Sequence, residues 1–149
     1  MKSIDKILLK KNYVKIKLKK IATNHLKLKA TINGVKGNFI LDTGASNSCV
    51  GLDLISFFKL DAEESEVKAA GAGATGMETQ QSKGNTLKIG DWITHKSHLV
   101  LFNLAHVNTA LEQHNAKKVH GIIGADILEK GKAFIDYKAH ALYLKLEKQ

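Results

Sequence analysis

A chain of 149 residues, 44% hydrophobic and 25% charged, has the length and apolar content of one ordinary globular domain, which sets it apart from disordered chains and makes a two-domain enzyme unexpected. Lys+Arg 23 against Asp+Glu 14 gives a formal charge of +9, and because every basic residue is lysine, the bidentate fork that best reads guanine is missing and specific nucleic-acid readout is not expected. A single cysteine, Cys49, excludes an internal disulfide framework, and no His/Cys cluster has finger-like spacing, so neither a metal nor another cofactor is expected.

Along the N-terminal 20 residues lysines interrupt the apolar positions every few residues, which excludes the continuous apolar stretch of a signal peptide or membrane helix. The expectation is a cytoplasmic protein without membrane insertion. Residues 12–20 and 25–32 alternate apolar and lysine at period two, as half-buried strands do, so much of the charge is a solvated strand face. Asn33-Gly34 is a strong two-residue hairpin signal leading into a strand over 36–41, and a curled antiparallel meander should follow. Leu54, Ile55, Phe57 and Phe58 predict a short helix capped by Asp53. Residues 67–81 read as a glycine-interrupted hairpin, followed by strands over 87–91 and 98–102. Leu104, Val107 and Leu111 recur at helical spacing behind Asn103, a candidate cap. The chain should close with a strand over 119–123, a short helix over 125–130 stopped at Gly131, and a hairpin of 133–137 with 141–146.

The chemistry concentrates in Phe39-Ile40-Leu41-Asp42-Thr43-Gly44-Ala45-Ser46, where an apolar run feeds into a carboxylate, a hydroxyl and a glycine. A strand leaving the core must present polar groups there, and such groups persist when they are paired or functional. Aspartate suits acid/base work because its surroundings decide whether it holds a proton. Gly44 lets the backbone turn and bring its N–H toward the carboxylate, which a side chain would obstruct. The plainer reading of Asp-Thr-Gly is a turn after a strand. Ser46, Ser48 and Cys49 lie close by, but no neighbouring histidine completes a nucleophile/base arrangement, so they read as turn hydroxyls and a small core thiol. His95 with His98, and His106 with His114, lack the further ligand a zinc site needs.

Three separated features resemble the retroviral-type (retropepsin-like) aspartic proteases and their bacterial single-domain relatives. Ile40-Leu41-Asp42-Thr43-Gly44-Ala45 is similar to the family's active-site motif, and Ile122-Ile123-Gly124-Ala125-Asp126-Ile127-Leu128 to its second motif. Between them, Ala69-Ala70-Gly71-Ala72-Gly73-Ala74-Thr75-Gly76 lies where the family carries its flap; a mobile loop is the plainer reading, and a P-loop is disfavoured because its lysine is missing. The resemblance spans about residues 25–146. It implies an all-β acid-protease barrel with short helices, a single domain over 1–149, in which the two motif-bearing units cross as a psi-shaped loop.

Because the chain holds one Asp-Thr-Gly, the resemblance also implies a homodimer in which Asp42 of each copy supplies one catalytic carboxylate. Two carboxylates held together cannot both ionise cheaply, so the pair shares a proton and activates water to hydrolyse a peptide bond. Thr43 is implied to hydrogen-bond across the dimer and Gly44 to hold a carboxylate oxygen. Ala45, Asn47, Ala70, Gly71, Ala72, Gly73, Ala74, Ile122 and Ile123 are implied to line the path of an extended peptide substrate, and Gly124 and Asp126 to be structural. Ser46 and Asn47 stand where retroviral enzymes have acidic residues, and Ala125 where they have arginine, so the usual ion-paired support of the dimer is missing. A catalytically silent, dimeric peptide- or protein-binding module of the same fold is the alternative.

Overall fold

The computed structural model describes residues 3–64 and 79–147. Asn33 and Gly34 both take positive φ, 50° and 85°, the geometry that joins a tight hairpin without splaying its strands. They link β3 (Leu26–Ile32) to β4 (Val35–Leu41) in full antiparallel register, from Leu26 opposite Leu41 to Ile32 opposite Val35. The Asn33 amide locks the corner by donating to the carbonyl of Phe58 at 2.9 Å and to the Asn85 side-chain oxygen at 2.9 Å.

Before this hairpin run α1 (Ile4–Lys10), β1 (Tyr13–Lys17) and β2 (Lys19–Lys20). After it come β5 (Cys49–Gly51), a 3-10 turn over Leu52–Leu54, β6 (Glu63–Glu64), β7 (Gln80–Ile89) and β8 (Trp92–Phe102). The chain continues through α2 (Ala105–Gln113), β9 (Gly121–Ile123) and α3 (Ala125–Lys130), and ends in β10 (Phe134–Asp136) and β11 (Ala141–Lys145). The large sheet runs β2-β3-β4-β9-β5-β8-β7-β6, and an additional β3–β7 pairing closes it into a barrel. A smaller antiparallel sheet, β1-β11-β10, completes the fold.

Several expectations need correction. The sheet is not a pure antiparallel meander: β4 runs parallel to β9, and β5 parallel to β8. The strand β9 enters between β4 and β5, so the two apolar-strand-to-glycine units interlock instead of following one another. The helix expected behind Asp53 is a 3-10 turn that begins two residues earlier, at Leu52 behind Gly51, with Asp53 inside it. Its apolar residues pack inward without extending the turn, because Leu60 and Phe58 are drawn into the core and Lys59 takes a positive φ of 56°. The strands expected at 87–91 and 98–102 belong to one longer hairpin, the first at its Gly90-Asp91 turn and the second at its open end. Helix α1 was not anticipated; its one buried residue, Leu8, packs with Tyr13, Ala141 and Tyr143. Most of the hairpin expected at 67–81 lies outside the described residues.

Alternation then sorts the central strands into two faces. Phe39, Leu41, Val50, Leu99, Leu101 and Ile123 point into the main core, where Phe39 and Phe58 sit 6.1 Å apart. Their neighbours in sequence, Ile40, Cys49, Val100, Phe102 and Ile122, point the other way into a second cluster roofed by Leu104, Leu111 and Val119. Burying each such Leu, Ile or Phe side chain stabilises the fold by about 2 kcal/mol. Here both faces of a short stretch of sheet are buried, which is why 39–41 and 121–123 read as continuous apolar runs.

Candidate active site

Asp42 is the first residue past β4, and its N–H continues the parallel ladder by donating to the Ile123 carbonyl at 3.0 Å. The chain then turns: the Ala45 N–H donates to the Asp42 carbonyl at 3.1 Å, and the Gly44 N–H to Asp42 Oδ1 at 2.9 Å. A β-carbon on Gly44 would stand 3.3 Å from that same oxygen, so a side chain there crowds the carboxylate. Gly44 does not have the positive φ of Gly34, Gly84 or Gly90; close approach, not backbone handedness, is its reason to be glycine. Asp42 is half-buried, while Thr43 and Gly44 are exposed, and Thr43 makes no side-chain hydrogen bond among the described residues.

A second strand end meets this turn. The Ala125 N–H donates to the Ala45 carbonyl at 2.7 Å, and a β-carbon on Gly124 would run into that carbonyl at 2.5 Å. Beneath them Ser48 is fully buried and knits the two units together. Its hydroxyl donates to Asp126 Oδ1 at 2.7 Å and accepts the Gly124 N–H at 2.8 Å, while its own N–H is shared between the two Asp126 oxygens at 2.9 and 3.0 Å. Ser48, read from sequence as a turn hydroxyl, is thus the partner of Asp126. A separation of 78 residues leaves no sequence periodicity that would pair them.

The other singled-out residues divide by position. Ala45 is half-buried against the second apolar cluster, Asn47 is exposed, and Ile122 is buried in that cluster beside Ile40. Ile123 is 1% exposed and faces the main core, so in this arrangement its side chain is turned away from the Asp42 side of the sheet. Ala70, Gly71, Ala72, Gly73 and Ala74 lie outside the described residues. Burial pushes the Cys49 thiol up to about 12; a backbone hydrogen bond at Ile122 offsets part of the rise, and the charges of Asp126 and Asp42 add to it. A thiol so held stays protonated at neutral pH and is no nucleophile. Among the described residues no three His, Cys, Asp or Glu side chains are grouped to hold a metal ion, and no helix is long and apolar enough to cross a membrane.

Solved structures share this architecture. A retropepsin-like aspartic protease from Rickettsia conorii aligns with a TM-score of 0.61 at 18% identity, covering 90% of each chain. The EIAV protease, in complex with the inhibitor HBY-793, aligns at 0.54 and 21% identity over 74% of this chain and 90% of its own. The retroviral protease-like domain of Ddi1 from Leishmania major aligns at 0.54 and 16% identity over 83% and 94%. At such identities the likeness establishes the fold. No curated protein matches the chain by sequence. The family model described as "Aspartyl protease" matches residues 28–127, well over half of the chain and inclusive of both strand-to-glycine units, and the protein therefore belongs to the aspartyl protease family, with a retropepsin-like barrel.

Proposed function

We propose that the protein is an aspartic endopeptidase, a single domain over its whole length, active as a homodimer in which the Asp42 carboxylates of two copies share one proton. The observation that carries this reading is the half-built site. Asp42 is presented at a strand end with a backbone N–H on one oxygen, yet Asp126, the carboxylate of the second strand-to-glycine unit, is occupied by the N–H and hydroxyl of Ser48. A second copy related by a two-fold axis supplies the missing carboxylate. The exposed, unpaired Thr43 is then free to hydrogen-bond to its counterpart and fix the pair.

In such a dyad the ionised carboxylate takes a proton from a bound water as the water oxygen attacks the scissile carbonyl carbon, and the protonated carboxyl donates to the carbonyl oxygen. The resulting tetrahedral diol collapses, the C–N bond breaks, and the departing amine takes up the proton. Asn47 and the apolar neighbours of Asp42, Ala45 and Ile122, support the reading of an extended, largely apolar peptide as substrate, held by backbone hydrogen bonds. The segment 70–74 is proposed as the flap that excludes water, and the compartment as the cytoplasm.

The test is Asp42→Asn, which keeps the shape of the side chain and removes the proton exchange. Cleavage of an apolar peptide should fall on the order of 10³-fold or more, with circular dichroism and the sedimenting mass, expected at twice the chain mass, unchanged. Full activity in the variant would refute the mechanism. Tight peptide binding with no cleavage by the wild type would assign the protein to the silent binding modules of this fold.

A further inference from the structure

Helix α2 and its flanks form a small unit that closes on itself. The Asn108 side chain pinches the far end of the segment: its amide donates to the Val119 carbonyl at 3.2 Å, and the Val119 N–H donates to Asn108 Oδ1 at 2.8 Å. The Ala116 N–H donates to the Leu111 carbonyl at 2.9 Å, Asn103 accepts the Ala105 N–H, and Lys118 pairs with Glu112 at 3.5 Å. Among the described residues every hydrogen bond and ion pair of residues 104–118 ends within 103–119, and none reaches the sheet. Apolar side chains alone hold the unit down, chiefly Leu104, Leu111 and Val119.

What those side chains cover is the face on which Asp42 emerges. Ile40 lies on it, and Asp42, two positions farther along, has the same parity. Two observations agree: Ala45 of the Asp42 turn packs at the edge of the covered cluster, and the charge of Asp42 reaches the Cys49 thiol within it. Beneath the unit Ile40 is 4% exposed, Cys49 4% and Ile122 5%, so the docked unit keeps an extended chain off the apolar surface next to the carboxylate. The docking also carries a defect. His106, in the first turn of α2, has its Nε2 enclosed without a hydrogen-bond partner among the described residues, with its ring 6.4 Å from that of Phe102. An enclosed polar atom left unpaired is a cost of the docked arrangement, and lifting the unit into water removes it.

We propose that residues 103–119 are a lid that lifts from the sheet as one body and uncovers an apolar trough beside Asp42 for the side chains of a peptide substrate. That use rests on the protease reading; the lifting does not. The lid's two ends join β8 and β9, which only β5 separates, so it can swing on neighbouring hinges without unpairing a strand. The second hinge is fastened at His120, whose N–H donates to the Asn38 carbonyl at 2.8 Å and whose carbonyl accepts the Gly51 N–H at 3.0 Å. Because the lid's polar bonds are its own, they survive the motion, and opening gives up apolar contact only. Ile122, implied to lie along the substrate path yet buried, is reached with the lid raised.

Cys49, the chain's single cysteine, lies under the lid and reports its opening. The experiment follows labelling of the full chain by a small methanethiosulfonate reagent across low urea concentrations. Lifting the lid exposes little surface, so wild-type labelling should show a plateau independent of urea, above the rate that global unfolding supports. Leu111→Ala should raise the plateau about 30-fold or more, the lower end of what such a truncation costs. His106→Phe, which fills the same space with no polar atom to strand, should lower it about 5-fold. Ile32→Val, in the main core, should reduce global stability and leave the plateau unmoved. Labelling that follows global unfolding at every urea concentration, or a plateau that Leu111→Ala and His106→Phe do not shift, would overturn the lid. Its use is read by titration calorimetry with an uncleavable peptide carrying apolar residues around a reduced bond. Only the open form takes the peptide, so Leu111→Ala should bind it more tightly and His106→Phe more weakly, by the same factors as their plateaus. Affinities that do not follow the plateaus would overturn the lid's role in admitting substrate. Failure of the wild type to cleave the amide version of the peptide would instead count against the protease reading alone, because the labelling needs no substrate.

Discussion

Removing one oxygen atom from Ser48 tests how the two halves of the candidate site are held together. In Ser48→Ala the hydroxyl bond to Asp126 Oδ1 at 2.7 Å disappears, and the Gly124 N–H loses its acceptor at 2.8 Å. A hydrogen bond to a charged acceptor contributes about 1.5–3 kcal/mol, and a buried N–H left without a partner costs about 1–3 kcal/mol. The two losses share one atom and do not simply add, so about 3 kcal/mol is the working expectation. For a chain of this size that corresponds to a fall in melting temperature of about 6–12 °C. Urea unfolding at fixed protein concentration measures it, with Ser48→Thr as the control that keeps the hydroxyl. Asp126→Ala and the double variant complete a cycle in which the coupling should be at least about 1 kcal/mol. A Ser48→Ala loss below about 0.5 kcal/mol, or additivity in the cycle, would refute the claim that this network fastens the Asp42 turn to the Gly124 turn.

Gly121→Ala places a β-carbon directly against the Cys49 carbonyl oxygen and 2.9 Å from the Phe39 ring, and the β5–β9 backbone cannot retreat without breaking its ladder; a loss of about 3 kcal/mol or more is expected in the same unfolding assay. Cys49 gives a pH dependence of known sign. With its thiol at about 12 when folded against 9.0 unexposed to these influences, the unfolded chain gives up its proton first; the contribution is intact below about pH 9 and is lost as pH rises toward 12. Wild type should therefore lose up to about 1.4 kcal/mol more stability per pH unit in that window than Cys49→Ala, a difference in which the titration of the lysines cancels. Equal slopes for the two proteins would show that the thiol is not held as described.

How far the sequence discloses this structure depends on the range of each interaction. The Asn33-Gly34 hairpin, the strands β3 and β4, and α3 ending at Gly131 are local matters of alternation and turn chemistry, and they stand where the pattern placed them. Helix α2 also stands where Leu104, Val107 and Leu111 placed it, with Asn103 Oδ1 accepting the Ala105 N–H at 2.8 Å. Parallel pairing of β4 with β9 brings together residues some 80 positions apart, and an apolar triplet does not state which strand it will join. Lysine alternation reported a solvated face but hid the difference between lysines that merely face water and Lys19, Lys20, Lys27 and Lys117, which crowd one cleft. Helix α1 was missed because a seven-residue helix bearing one buried leucine has almost no periodicity to read.

The departures from the retroviral pattern now have a physical sense. Where those enzymes have an arginine, Ala125 offers only its N–H, bound to the Ala45 carbonyl, and where they have acidic residues after the alanine, Ser46 and Asn47 are exposed and neutral. The tie between the two strand ends is made instead by backbone groups, a buried hydroxyl and one carboxylate, Asp126, that accepts every bond it makes there. Partly buried interactions of this kind are screened far less by salt than exposed ion pairs. The contribution of this tie should thus change little with ionic strength, so the stability difference between wild type and Ser48→Ala, read by urea unfolding, should be the same at low and high salt.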